Sequence, residues 1–121
     1  MERVIKSGVG WRIGWNPSAP KFKGLVGTSD WSVELTQTEL DDFCRLLTQL
    51  ADTMKQLAPE LMDSEKIAIE AESDLIWMEV EGYHHSYSLR FIINNERACE
   101  GKWETDAVPG LLQAASTLKV F

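Results

Sequence analysis

TQTELDDFCRLLTQLADTMKQLA, residues Thr36 to Ala58, is the stretch that decides the fold. Leu40, Phe43, Cys44, Leu47, Leu50, Ala51, Met54, Leu57 and Ala58 recur at i, i+3, i+4, i+7, the spacing of one helix face. Glu39, Asp42, Arg45, Gln49, Asp52 and Gln56 fall on the other side. Thr36 and Glu39 form the S/T-x-x-E capping box, in which each side chain satisfies a backbone N–H at the helix start. Pro59 disfavours helical geometry at Ala58 and ends the helix there. At 1.5 Å per residue the helix is a rod of roughly 30 Å. Its apolar stripe demands a sheet or a second helix as cover.

Upstream, the chain reads as strands and turns. The apolar pair Val4-Ile5 suggests a short strand over 2–5, and Ser7-Gly8-Val9-Gly10 a turn. Trp11-Arg12-Ile13-Gly14-Trp15 alternates, with Trp11, Ile13 and Trp15 on one face. Asn16-Pro17-Ser18-Ala19-Pro20 is a loop. Residues 24–28 form another strand, Ser29-Asp30 turns the chain, and Trp31 to Leu35 alternates again. Downstream, Glu60 to Asp63 suggests a single helical turn. Strand patterns follow over Lys66–Glu72, Leu75–Glu81, Ser86–Ile93 and Arg97–Trp103. Between them lie turns at Ser73-Asp74, Gly82-Tyr83-His84-His85 and Asn94-Asn95, where asparagine tolerates positive φ. Asp106 would cap a last helix with Val108, Leu111, Leu112, Ala115 and Leu118 as its stripe. Blocks of strands joined by short turns form antiparallel sheets rather than βαβ units. The expectation is one α+β domain over 1–121, two four-stranded antiparallel sheets with two main helices. Its order is ββββα-ββββα, in two structural half-repeats over about 1–58 and 60–121.

A length of 121 residues suits one domain, and 44% apolar residues supply a core. No run approaches the ~18 apolar residues of a membrane span. Met1-Glu2-Arg3-Val4-Ile5-Lys6 lacks the apolar run of a signal peptide. These features predict a cytoplasmic protein with no membrane partner. Cys44 and Cys99 belong to no C-x-x-C motif or Cys/His cluster, so both are expected as reduced, buried thiols. The formal net charge of −7 is uneven: residues 1–29 hold five bases against Glu2 alone, a net of +4, and residues 30–121 hold seven bases against eighteen acids, a net of −11. An acidic surface repels polyanions, so any nucleic-acid contact would have to use the N-terminal third.

Several segments together resemble a family of short, acidic cyanobacterial proteins of unknown function. They are Gly10-Trp11-Arg12-Ile13-Gly14-Trp15-Asn16-Pro17, Leu25-Val26-Gly27, Trp31-x-Val33-Glu34-Leu35-Thr36, Glu60-Leu61-Met62, Trp77 to Tyr83, Tyr87 to Ile92, and Arg97-x-x-Glu100-Gly101-x-Trp103. The resemblance covers essentially the whole chain and supplies no catalytic residues. It implies a fold similar to the Whirly-type single-stranded-DNA-binding transcriptional regulators. A basic Whirly-type DNA-contact motif is not found here.

Trp11, Trp15 and Phe22 are interleaved with Arg3, Lys6, Arg12, Lys21 and Lys23. Aromatic faces that stack bases beside cations that track phosphates are how single strands are bound. Against this, Trp11, Ile13 and Trp15 at period two describe an inward sheet face. Glu70, Glu72, Glu79 and Glu81, with His84 and His85 beyond them, could be read as a metal site or an acid–base pair. No metal-ligand spacing such as H-E-x-x-H appears, however; adjacent histidines on a strand point to opposite sides, and these two sit at a turn, where polar residues are expected. A solvated sheet face and no metal site are therefore expected. Gly8-Val9-Gly10 with Gly14 fails the dinucleotide-loop spacing, and no G-x-S-x-G or S-x-x-K is present. Arg97, Glu100 and Trp103 could form a surface trio, or an ion pair beside a packed indole. No cofactor is implied. The chain reads as a non-catalytic binding or assembly module for another protein or for itself. Single-stranded nucleic-acid binding through the N-terminal third is the alternative.

Overall fold

The computed structural model describes residues 3–118; residues 1, 2 and 119–121, including the first position of the strand expected over 2–5, lie outside them. The order is β1 (Val4–Gly8), β2 (Trp11–Trp15), β3 (Gly24–Gly27), β4 (Ser32–Leu35), α1 (Gln37–Leu57), a 3-10 turn (Ala58–Glu60), β5 (Ile67–Glu72), β6 (Ile76–Tyr83), β7 (Ser86–Ile93), β8 (Glu100–Trp103) and α2 (Val108–Thr117). Two antiparallel sheets of four strands each run in sequence order, β1-β2-β3-β4 and β5-β6-β7-β8. This is the α+β architecture the strand and helix pattern implies.

The capping box at the head of α1 is present: Glu39 N–H donates to Thr36 Oγ1 at 3.2 Å and Thr36 N–H donates to Glu39 Oε1 at 2.8 Å. The helix ends at Leu57, about where Pro59 implies, but not because Ala58 leaves helical space. Ala58 stays right-handed helical, at φ −51° and ψ −42°, and its N–H bonds the Met54 and Lys55 carbonyls. Pro59 is the second residue of the 3-10 turn that follows, where its missing N–H would have had no partner. The single turn expected over 60–63 is therefore this one, two residues earlier.

Register explains the inner faces. Trp15 pairs with Gly24 and Gly24 with Leu35, while Ile13 pairs with Val26 and Val26 with Val33. In the second sheet Met78 pairs with Phe91, Val80 with Leu89 and Leu89 with Trp103. These side chains join Leu40, Phe43, Leu46, Leu47, Leu50 and Met54 of α1 and Val108, Leu111, Ala114 and Ala115 of α2 in one core. The helices clasp both sheets, α1 against β3, β4, β5 and β6, and α2 against β1, β2 and β7. An aromatic cluster fills the centre. Phe43 meets Phe91 edge-on at 5.5 Å between centroids, and Phe91 stacks on Trp103 at 5.4 Å. Trp103 Nε1 donates to the Gly27 carbonyl at 2.8 Å, tying β8 to β3.

Local rules mislead at several points. Leu46 is buried although the period left it off the stripe. Glu39, assigned to the solvated side, is 3% exposed. Its carboxylate accepts from Arg97 Nη2 and, at 3.0 Å, from Asn95 Nδ2, which compensates the charge inside the protein. In the turn after β7 the positive φ, 49°, falls on Ala98 and not on an asparagine. There Asn95 Oδ1 accepts from Arg97 N–H at 2.8 Å and shapes the turn without a positive φ of its own. β8 starts at Glu100, three residues later than expected, because Arg97–Cys99 belong to this turn. Asp106 does not cap α2. The N-cap is Ala107, which lacks a side-chain cap, and Pro109 in the first turn removes one of the donors a cap would serve. Cys44 and Cys99 are not joined in a disulfide, and both are half-buried rather than fully enclosed.

Candidate functional site

The N-terminal aromatics and bases are not gathered on one surface. Trp15 is in the core. Trp11 is half-buried, its indole lying where a Cβ at Gly8 or Gly110 would collide with it, between β1 and α2. Lys6 Nζ reaches α2 and donates to Thr117 Oγ1 at 2.7 Å. Arg12 braces the β3–β4 turn, with Nε on the Thr28 carbonyl at 2.8 Å and Nη2 on the Trp31 carbonyl at 3.4 Å. Lys23 Nζ donates to the Pro17 carbonyl at 3.1 Å and to the Ala19 carbonyl, closing the proline loop. Arg3, Phe22 and Lys23 line a cleft of about 160 Å³. The Lys21 ammonium lies 5.2 Å and the Arg97 guanidinium 4.8 Å from the Phe22 ring centroid. So the eight candidates divide between the core, the α2 contact, loop bracing and one cleft.

The Arg97, Glu100, Trp103 trio does not form. Arg97 turns towards Glu39 and also donates Nη1 to the Glu34 carbonyl at 2.6 Å, while Trp103 is fully buried. The acidic residues on β5 and β6 lie on the outer face of their sheet. Glu70 accepts from Trp77 Nε1 at 3.3 Å, Glu79 faces Arg90 at 3.6 Å, and Glu81 faces Lys66 at 3.9 Å. Arg90 also covers the Trp77 ring at 4.9 Å. That is a laddered, solvated face.

A hollow of about 440 Å³ lies between the helices. Ala51 and Met54 of α1, Ala58 of the 3-10 turn, Pro109 and Leu112 of α2, and His84 and Tyr87 from the β6–β7 hairpin line it. Burial and the nearby Asp52 carboxylate push the Tyr87 hydroxyl above its usual pKa of 10.0. A neighbouring cleft of about 190 Å³ shares His84, Tyr87, Pro109 and Leu112 and adds His85 and Thr105.

The histidines lie in the turn expected over Gly82-Tyr83-His84-His85, which is shorter than expected: β6 continues through Tyr83 and β7 starts at Ser86, so His84 and His85 are its two residues. The divergence expected of adjacent strand residues does not apply there, and both Nε2 atoms approach Asp63. Gly82 makes this tight reversal feasible: its φ is +147°, and a Cβ there would lie 2.6 Å from the Ser86 carbonyl oxygen. The pairing of Ile67 with Gly82 draws the connection before β5 alongside the turn. Asp63 thereby reaches both rings. His84 Nε2 is 2.9 Å from Asp63 Oδ1, and His85 Nε2 is 3.4 Å from the Asp63 carbonyl oxygen. The hydrogen bond and charge of His84 hold the Asp63 carboxyl below its usual range. Sequence reasoning missed Asp63 because its proximity arises from strand register, not from spacing along the chain.

Strand order leaves β1 at one edge of its sheet. Ile5 on that strand is 51% exposed and Val9, at the tip of its hairpin, 78%. Among the described residues, no helix is long and apolar enough to cross a membrane.

The family model of a domain of unknown function, DUF1818, matches residues 6–118. The chain belongs to the DUF1818 family. A solved structure from Prochlorococcus sp. NATL2A, described as a protein with unknown function from DUF155 family, superposes with a TM-score of 0.90. It shares 26% sequence identity, over 96% of this chain and 98% of that one. The comparison with curated proteins found no match. The neighbour extends the two-sheet, two-helix architecture of this DUF1818 protein to a cyanobacterial relative.

Proposed function

We propose that this DUF1818 protein is a non-catalytic binding and assembly module whose first partner is a second copy of itself, joined through the free edge of β1. The edge position of β1 beside exposed Ile5 carries the reading. An edge strand presents unpaired N–H and C=O groups and is a template for another strand unless charge, proline or cover blunts it. Val4–Gly8 contains no proline, and its one charge, Lys6, is drawn back to Thr117. Antiparallel pairing of two β1 edges about a two-fold axis is self-complementary and would extend the sheet from four strands to eight. Light scattering after size exclusion tests it: the wild type runs as a dimer and Ile5→Lys as a monomer. A wild type that stays monomeric at millimolar concentration rules it out.

One observation favours a second reading, single-stranded nucleic-acid binding as in Whirly-type regulators. Arg3, Phe22 and Lys23 share one cleft, with Lys21 over the same ring. Arg3→Glu with Lys21→Glu would abolish salt-dependent binding of labelled oligonucleotides, since these two bases are exposed and brace no loop. No binding by the wild type at low salt removes this reading.

A further inference from the structure

We propose that Asp63, His84 and His85 form a binding site for a borderline divalent transition-metal ion of the zinc class. One ligand atom from each of the three residues lies within 4.8 Å of the others. The two imidazole rings stand edge to face, 4.9 Å between centroids and 86° between planes, so their nitrogens converge instead of stacking. The His85 ring is held from its other side by Tyr83, stacked at 5.9 Å and 11°. Both Nε2 atoms are directed at the same residue, one at its carboxylate and one at its carbonyl.

Zinc takes imidazole nitrogen and carboxylate oxygen at about 2.0–2.2 Å, which places neighbouring donors about 3.3–3.6 Å apart. The nearest pair, at 2.9 Å, has to open slightly, and the wider ones have to close by roughly 1 Å. Both wider distances include His85, which like Asp63 is exposed and can adjust, and the Asp63 side chain is 90% exposed. Two nitrogens and one carboxylate select zinc, cobalt, nickel or copper over magnesium and calcium, which require oxygen ligands. The net charge of −7 raises the local concentration of any cation. Three protein donors leave a tetrahedral ion one open position. Both histidines also line the cleft of about 190 Å³, which gives that position room for water or an anionic group. The bound ion would staple the connection before β5 to the β6–β7 turn.

The test is titration of the purified full chain with zinc sulfate by calorimetry, and with cobalt chloride by visible absorption. The expected result is one zinc ion per chain, no heat with magnesium or calcium, and d–d bands on cobalt binding. Loss of even an outer partner of a metal ligand costs about 10- to 100-fold in affinity. His84→Ala, His85→Ala and Asp63→Ala should therefore each weaken zinc binding by about 100-fold or more and bleach the cobalt bands. All three positions lie in surface turns, and circular dichroism verifies that the variants stay folded. No zinc binding by the wild type, or affinity unchanged in His85→Ala, overturns the proposal.

Discussion

Replacing Arg97 by alanine tests how the two halves of the molecule are held together. The guanidinium meets the Glu39 carboxylate, the Glu34 carbonyl and the Phe22 ring face at once. Glu39 is buried at the first turn of α1. Without Arg97 its charge keeps only the Thr36 N–H and the Asn95 amide. Removing one partner of a buried pair costs about 3–5 kcal/mol. The Arg97 side chain is 28% exposed, so water recovers part of that, and about 2–3 kcal/mol is expected. In a domain of this length each kcal/mol moves Tm by roughly 3–6 °C, so Tm should fall by roughly 10 °C. Urea unfolding followed by tryptophan fluorescence measures the free energy. The cause is separated by a double-mutant cycle with Glu39→Gln, which keeps the capping-box hydrogen bond and removes the charge. In that background Arg97→Ala should cost at least about 1 kcal/mol less. Arg97→Lys should fall between wild type and alanine, because one ammonium cannot serve the planar contacts of a guanidinium. A loss below about 0.5 kcal/mol in Arg97→Ala, or an equal loss in both backgrounds, would refute the electrostatic clasp.

Three further outcomes follow from the same contacts. Trp103→Phe keeps most of the aromatic packing but strands the Gly27 carbonyl, and should cost about 1–3 kcal/mol in chemical denaturation. Gly82→Ala forces a Cβ towards the Ser86 carbonyl at an unfavourable φ and should cost at least about 2 kcal/mol, with loss of amide protection at the β6–β7 turn. Tyr87 has its pKa raised in the folded state, so the fold favours the neutral phenol; that contribution is complete below pH 10 and is lost as pH rises through the folded value. Tyr87→Phe should flatten the alkaline fall in stability, and Asp52→Asn should bring the phenolate absorbance transition to lower pH.

The elements were readable from the chain because their patterns are local. The stripe on α1, its Thr36–Glu39 box and the alternation in β2, β6 and β7 each lie within one segment and describe one buried face. What the pattern could not give is partnership between segments. Glu39 sits on the polar side by period, and Arg97 and Asn95, 58 and 56 residues away, make its burial tolerable. Asp63 meets His84 across 21 residues through the pairing of β5 with β6. The Trp-rich stretch shows the reverse case. Its composition suits base stacking, yet Trp15 and Trp11 are spent on the core and on α2. The one available signal for the turn site was the pair of histidines after Gly82, placed where a two-residue hairpin turn sets both side chains on a short arc.

The uncrossed strand order sets the tempo of folding. Each sheet grows by closing neighbouring hairpins, events on the scale of about 1–10 μs. The bonds that join one sheet block to the other span 76 residues from Trp103 to Gly27 and 58 from Arg97 to Glu39. Their loop-closure entropy falls due only after the hairpins exist. Contacts between the halves are therefore expected to form after the hairpins, with α1, carrying Glu39 at its head, as the tether between them.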